Sequence, residues 1–161
     1  MSVTLRPATS ADVPAVAQIW RDGWRDAHLG NVPDGLVEVR TDESFGTRAA
    51  EQVGETVVAI VGGVLAGFVM VIADEVEQVY VSAGHRGTGV AAVLLATAEQ
   101  VVLRNGHKQA WLAVVEGNAR ARKFYERQGW ADEGPFDHHA PSTDGLILVP
   151  AHRYVKVVSN A

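Results

Sequence analysis

The stretch HRGTGVAAVLLATAE, His85 to Glu99, puts two glycines and an arginine at the front of a helix. Such a loop suits phosphate. A helix N-terminus carries unpaired N–H groups and a partial positive charge, and glycines let the backbone wrap close to an anion. Two codes fit. Gly87-Thr88-Gly89-Val90-Ala91-Ala92 is the G-x-G-x-x-A form of the dinucleotide fingerprint, and Arg86 to Ala91 is R-x-x-G-x-A. The first implies a doubly wound parallel sheet; the second does not. The rest of the chain chooses between them.

A Walker-type loop is excluded, because no Gly-Lys-Ser or Gly-Lys-Thr follows the glycines. The dinucleotide code fits poorly. The acid that would take the ribose, Glu116, lies well past the usual spacing of roughly 20 residues. Too little chain follows it to build the second half of a dinucleotide-binding sheet. Upstream, ETVVAIV and VLAGFVMVIA flank Gly62-Gly63, a hairpin signal foreign to a parallel sheet.

Working outward, Val3 to Arg6 is extended and stops at Pro7. ATSADVPAVAQIWRDGWRDAH reads as a helix, with Ser10 as N-cap and Val13, Val16, Ala17, Trp20, Trp24 and Ala27 at helical spacing. DGLVEVRTDESFGTRAAEQV is one broken helix or two short ones. After the hairpin, EVEQVYVS is a third strand. A helix runs from about Thr88 to Arg104 and ends at Asn105-Gly106. KQAWLAVVE is a strand, NARARKFYERQ a helix stopped by Gly129, and WADEGPF and LILVPAHRYVKVV the last strands. DHHAPSTDG between them reads as a polar loop. The order predicts an α/β fold with a mixed sheet, antiparallel in its first half, as a single domain over 1–161.

Composition narrows the function classes. Hydrophobic content of 47% with 20% charged residues is that of a globular chain. A net charge of −5 argues against wholesale nucleic-acid binding. With no cysteine, thiolate metal sites and a cysteine nucleophile are excluded. No stretch approaches the roughly 20 apolar residues of a membrane span, and the N-terminus has no apolar run of signal type. The expectation is a cytoplasmic protein with no membrane partner.

A second motif decides the matter. VYVSAGHRGTGVAAVLL followed by AWLAVVEGNARARKFYERQGW resembles the GNAT superfamily of acyl-CoA-dependent N-acetyltransferases. Arg86, Gly89 and Ala91 occupy that family's Q/R-x-x-G-x-G/A motif. Asn118, Ala121, Phe124, Tyr125 and Gly129 occupy its second motif, with Trp130 where the family often has Phe. The resemblance spans about residues 75 to 131. It implies a GNAT-like, mostly antiparallel mixed sheet flanked by helices, acetyl-CoA as co-substrate and no metal cofactor. It also implies that Val79 and Val81 hold pantetheine through backbone hydrogen bonds. The N–H groups of Arg86, Gly87, Thr88, Gly89, Val90 and Ala91 would cradle the pyrophosphate, Asn118 would bond the pantetheine arm, and Tyr125 would protonate the leaving thiolate.

The chemistry needs these parts independently. Attack on a thioester requires a neutral amine, yet a lysine-type amine has a pKa near 10.4. A base, direct or through water, must remove a proton, and the tetrahedral intermediate needs an N–H donor. By strand alternation Glu75, Glu77, Val79 and Val81 share one face, so Glu75 or Glu77 is the carboxylate candidate. The family's glutamate position corresponds to Glu75. A strand bulge would change this parity.

Trp20 and Trp24 read as core residues. The alternative is that Trp24, with His28 one turn on, lines the acceptor pocket. His138-His139 lacks a third ligand at metal-binding spacing; the pair reads as solvated loop, and the alternative makes His138 an acceptor-side contact or base. The expected reaction is acetyl transfer to a primary amine of a small molecule or peptide. The alternative is a non-catalytic acyl-CoA sensor of the same fold, against which the intact Tyr125 argues. By resemblance a homodimer would form through the last strands.

Overall fold

The computed structural model describes residues 2–142 and 145–159. Strand β1 (Val3–Pro7) leads through a 3-10 turn at Ser10–Asp12 into α1 (Val13–His28). Ser10 is not the cap. The Thr9 N–H donates to the Asp12 carboxylate at 2.8 Å, and Arg6 grips that carboxylate with two bonds of 2.7 and 2.9 Å. Arg6 holds the Asp12 carboxyl down at about 2. The ambiguous region resolves into two helices, α2 (Asp34–Val39) and α3 (Asp42–Glu51), the second capped by Thr41.

Strands β2 (Thr56–Val61) and β3 (Val64–Ile72) form the hairpin, with φ of 57° and 79° at Gly62 and Gly63. β4 (Glu75–Val81) pairs antiparallel with β3. Then come α4 (Val90–Arg104), β5 (Gln109–Val115), α5 (Ala119–Arg127), β6 (Ala131–Ser142) and β7 (Gly145–Val157). The seven-stranded sheet has the order β1-β2-β3-β4-β5-β7-β6. It is antiparallel throughout except where β4 meets β5. Among the described residues no helix is long and apolar enough to cross a membrane.

Each face of the sheet has its own core. On one, α4 buries Val90, Leu94, Leu95, Ala98 and Val102 against Val69, Val71, Ala110 and Leu112. On the other, Val16, Trp20 and Trp24 of α1 and Phe45 of α3 pack on Val58, Phe68 and Met70. β3 feeds both clusters, so it reads as an unbroken apolar run.

Two departures from the expected pattern shape the site. In β4, Met70 pairs with Gln78 but Val71 pairs with Val76, leaving Glu77 as an extra residue in a bulge. The bulge resets the alternation. Val76, Val79 and Val81 pack toward α4, while Tyr80 packs toward α1. The expected shared face of Glu75, Glu77, Val79 and Val81 therefore does not exist. The carboxylates look to the α1–α3 side, where Glu75 meets His138 and Glu77 feels Arg48.

The second departure is β6. The expected polar loop is largely strand: His138, His139 and Ala140 pair with Val149, Leu148 and Ile147. Turn-rich composition yields here to a long ladder with the apolar LILV run and to burial of Ala140 and Val149. Thr143 and Asp144 of that stretch lie outside the described residues.

Candidate active site

Strands β4 and β5 pair in parallel at one register position, Glu75 with Trp111, reinforced by the Trp111 N–H donating to the Asp74 carbonyl at 3.0 Å. Beyond it they separate. The opening is a cavity of about 280 Å³ between Glu75–Tyr80 and Leu112–Val115. Diverging strands leave backbone N–H and C=O groups unladdered, which suits an extended amide-bearing ligand.

The cavity brings together Trp24, His28, Glu75, Glu77, Val79, Asn118, Tyr125 and His138. Val81 and the glycine loop lie outside its lining, continuing along the chain from the same strand. A 3-10 turn at Ala83–His85 leads to Gly87 at φ 75° and Gly89 at φ 90°. Gly89 is the N-cap of α4, so the helix starts at Val90 rather than Thr88. Both glycines sit in left-handed backbone that other residues adopt at a cost. The space where their Cβ atoms would point is open. The Val90 side chain is buried in the core beneath α4. The Thr88 hydroxyl donates to the His85 carbonyl, closing the turn. Arg86 is engaged from across the cleft: its guanidinium donates to Asp26 of α1 at 2.8 Å.

Tyr125 rises from α5 among Phe124, Trp130 and Tyr154. Burial pushes its hydroxyl up to about 12, so the phenol keeps its proton at neutral pH. Asn118 caps α5, its Oδ1 accepting from the Ala121 N–H at 3.2 Å. That leaves the amide NH₂ as a donor at the cavity wall. Arg122 ties α5 to the sheet: it donates to the Tyr154 hydroxyl and to Asp132, each at 3.2 Å. Asp132 in turn meets His152 at 2.9 Å.

The opposite wall is built differently. Trp24 is buried and stacks on His28 with ring centres 4.7 Å apart. His28 Nδ1 lies 2.9 Å from the Trp24 carbonyl. Burial lowers His28 to about 4, so the ring is neutral, Nδ1–H donates to that carbonyl, and Nε2 is an acceptor. Burial, then the Glu75 charge, raises Glu77 above the usual carboxylate range, while Arg48 opposes. His138 Nε2 lies 3.9 Å from Glu75 Oε2.

The sequence reading missed Arg48 and Tyr80 as cavity walls. Arg48 lies 4.4 Å over the Trp20 ring. Nothing in its helix marked it. Tyr80 had a signal: its ring lies on Gly23 so closely that a Cβ there would collide with it. A glycine inside a helix, between two tryptophans, costs about 1 kcal/mol against alanine and calls for such a reason.

The model of the acetyltransferase (GNAT) family matches residues 14–130. Streptothricin acetyltransferase of Streptomyces lavendulae is 33% identical over 98 residues, 56% of this chain and 52% of that protein. The chain thus spans about half the length of that relative. An uncharacterised N-acetyltransferase of Mycobacterium tuberculosis is 31% identical over 138 residues, 83% of this chain and 81% of its own. The YncA structure of Salmonella typhimurium with its cofactor acetyl-CoA superposes with a TM-score of 0.71 at 17% identity, covering 100% of this chain and 96% of that one.

Proposed function

Because the chain belongs to the GNAT family of acetyltransferases, we propose that it moves an acetyl group from acetyl-CoA to a primary amine of a small molecule or peptide. The observation that carries the reading is the parting of β4 and β5, which opens a cavity with Tyr125 on one wall and two carboxylates on the other. Neighbours solved with coenzyme A or acetyl-CoA support the co-substrate. The streptothricin acetyltransferase relative supports a small-molecule amine as acceptor.

In this reading the N–H groups from Arg86 to Ala91 hold the pyrophosphate, with Gly87, Thr88 and Gly89 shaping the loop. Val79 and Val81 hold pantetheine through their backbone, and the Asn118 amide donates to it. The amine sits among Glu75, Glu77, His28 and His138, against Trp24. It loses a proton, directly or through water, and attacks the thioester carbonyl. Tyr125 donates to the sulfur as the C–S bond breaks. Burial holds the phenol's pKa above that of an ordinary thiol, so the proton moves uphill. The transfer is therefore concerted with collapse of the intermediate, whose nitrogen supplies a replacement proton.

The test is thermal and kinetic. Acetyl-CoA at about 100 times Kd adds about 2.7 kcal/mol to stability, a rise in Tm on the order of 5–10 °C for this length. Thiol release from acetyl-CoA is then followed with spermidine, kanamycin, L-lysine and an alanyl peptide as acceptors. Acceptor-dependent release is expected with at least one, falling about 100-fold in Tyr125→Phe. No Tm shift at millimolar acetyl-CoA defeats the co-substrate assignment. Equal release by wild type and Tyr125→Phe removes Tyr125 from its role.

A further inference from the structure

Three histidines line the cavity, His28, His138 and His139, and the structure gives the first two different chemistry. His28 is committed: its Nδ1 bonds the Trp24 carbonyl at 2.9 Å and its ring lies flat on Trp24. It remains neutral and offers Nε2 as a hydrogen-bond acceptor. His138 is not committed. It sits on β6 with Phe136 edge-on to its ring and Nε2 turned toward Glu75 at 3.9 Å. Its Nδ1 has no hydrogen-bond partner among the described residues. The charged and titratable groups around it are Glu75 and Glu77 of β4, His28 of α1, Arg40 after α2 and Arg48 of α3.

We propose that His138 takes the proton from the acceptor amine through Nδ1, with Glu75 as the positioning residue that holds the Nε2–H edge and stabilises the imidazolium. This rests on the amine-acetylation reading above and replaces its open choice of base. The Glu75 carboxylate faces the Nε2 edge of His138, which leaves Nδ1 as the acceptor of a ring whose Nε2 carries the proton. The 3.9 Å gap between His138 and Glu75 is longer than a direct hydrogen bond. Such contacts often tighten only when substrate is bound. Glu77, at the bulge, is left to attract the ammonium.

The step balances as follows. The ammonium gives one proton to His138, and its freed lone pair forms the C–N bond to the thioester carbonyl. The carbonyl re-forms as the C–S bond breaks. Sulfur takes the Tyr125 proton, and the surplus proton on the new amide nitrogen restores Tyr125. The proton on His138 leaves to solvent. The sum is ammonium plus acetyl-CoA giving amide, free thiol and one proton.

The test compares His138→Gln and Glu75→Gln with wild type, using acetyl-CoA and whichever of the four amines turns over. For His138→Gln, kcat/KM should fall about 100-fold at a pH well below the acceptor's own pKa. The defect should shrink below about tenfold as the pH comes within about one unit of that pKa, where the amine supplies its own neutral form. That point is near pH 9.5 for an amine of about 10.4 and near pH 7 for an α-amine of about 8. Glu75→Gln should lose about tenfold and displace the acid limb of the pH profile. Tm and acetyl-CoA Kd should stay at wild-type values in both. A loss in His138→Gln that is equal at every pH, a loss below about threefold, or a larger loss in Glu75→Gln than in His138→Gln overturns the assignment. If acetyl-CoA binds but no amine turns over, the amine reading falls and takes this one with it. Turnover with an unimpaired His138→Gln defeats this inference alone.

Discussion

The two walls of the cleft are made on opposite principles. The coenzyme wall is local: β4, the glycine loop, α4 and, after one strand, α5 follow one another in the chain. In the proposed reading its polar contacts are backbone N–H groups with the Asn118 amide beside them, while side chains such as Val90 and Leu94 are buried in the core. The amine wall is assembled from α1, α3, the bulge in β4 and distant β6, and its contacts are titratable side chains. A pyrophosphate needs a fixed shape and a positive field, which backbone supplies. Proton transfer needs groups that change charge, which backbone lacks. The first wall is built to be rigid, the second to be adjusted.

The largest expected effect breaks the coenzyme wall alone. Gly89 caps α4 at φ 90°. Gly89→Glu strains that backbone and sets a carboxylate where the phosphates would lie. Acetyl-CoA affinity should fall by more than about 100-fold, read by calorimetry. Thermal stability should drop by only a few degrees, because the Cβ meets no neighbour. Unchanged affinity would mean the pyrophosphate is held elsewhere.

A smaller effect enters from the other side. Gly23→Ala raises the helix propensity of α1 by about 1 kcal/mol but drives a methyl into the Tyr80 ring. Overpacking costs about 1–3 kcal/mol, and three ring atoms of Tyr80 stand in the way, so sterics should win. The expected result is a Tm lower by about 2–6 °C and a raised KM for the amine, with acetyl-CoA Kd within about threefold of wild type. A rise in Tm would show that the ring moves aside freely.

The same division decides what could be read from sequence. The glycine loop and the N-x-x-A-x-x-F-Y run declare themselves because their spacing is set by one loop or one helix. The hairpin at Gly62-Gly63 is equally local. The bulge at Glu77 is invisible, since it exists only in the pairing of β4 with β3. It moved Val79 and Val81 to the face opposite the carboxylates. His138 was legible as a candidate but not as a strand residue, because its ladder partner Val149 lies across a turn-rich stretch. Arg48 gave no signal: its place over Trp20 depends on how α3 packs on α1. Gly23 carried information that only the Tyr80 contact explains.

The smallest expected effect lies where the two walls touch. Arg86, at the head of the glycine loop, is bound by Asp26 of α1, whose side chain is 62% exposed. An exposed pair of this kind is worth about 0–1 kcal/mol. To meet a phosphate, the guanidinium must exchange Asp26 for the ligand. Asp26→Asn should therefore tighten acetyl-CoA by up to about fivefold, and less at high salt. Arg86→Ala should weaken it by no more than about tenfold, because the backbone N–H groups remain. In Arg86→Ala, the further change Asp26→Asn should have almost no effect, since its partner is gone. A loss beyond about 100-fold in Arg86→Ala would reverse the comparison, making the coenzyme wall a side-chain site like its neighbour.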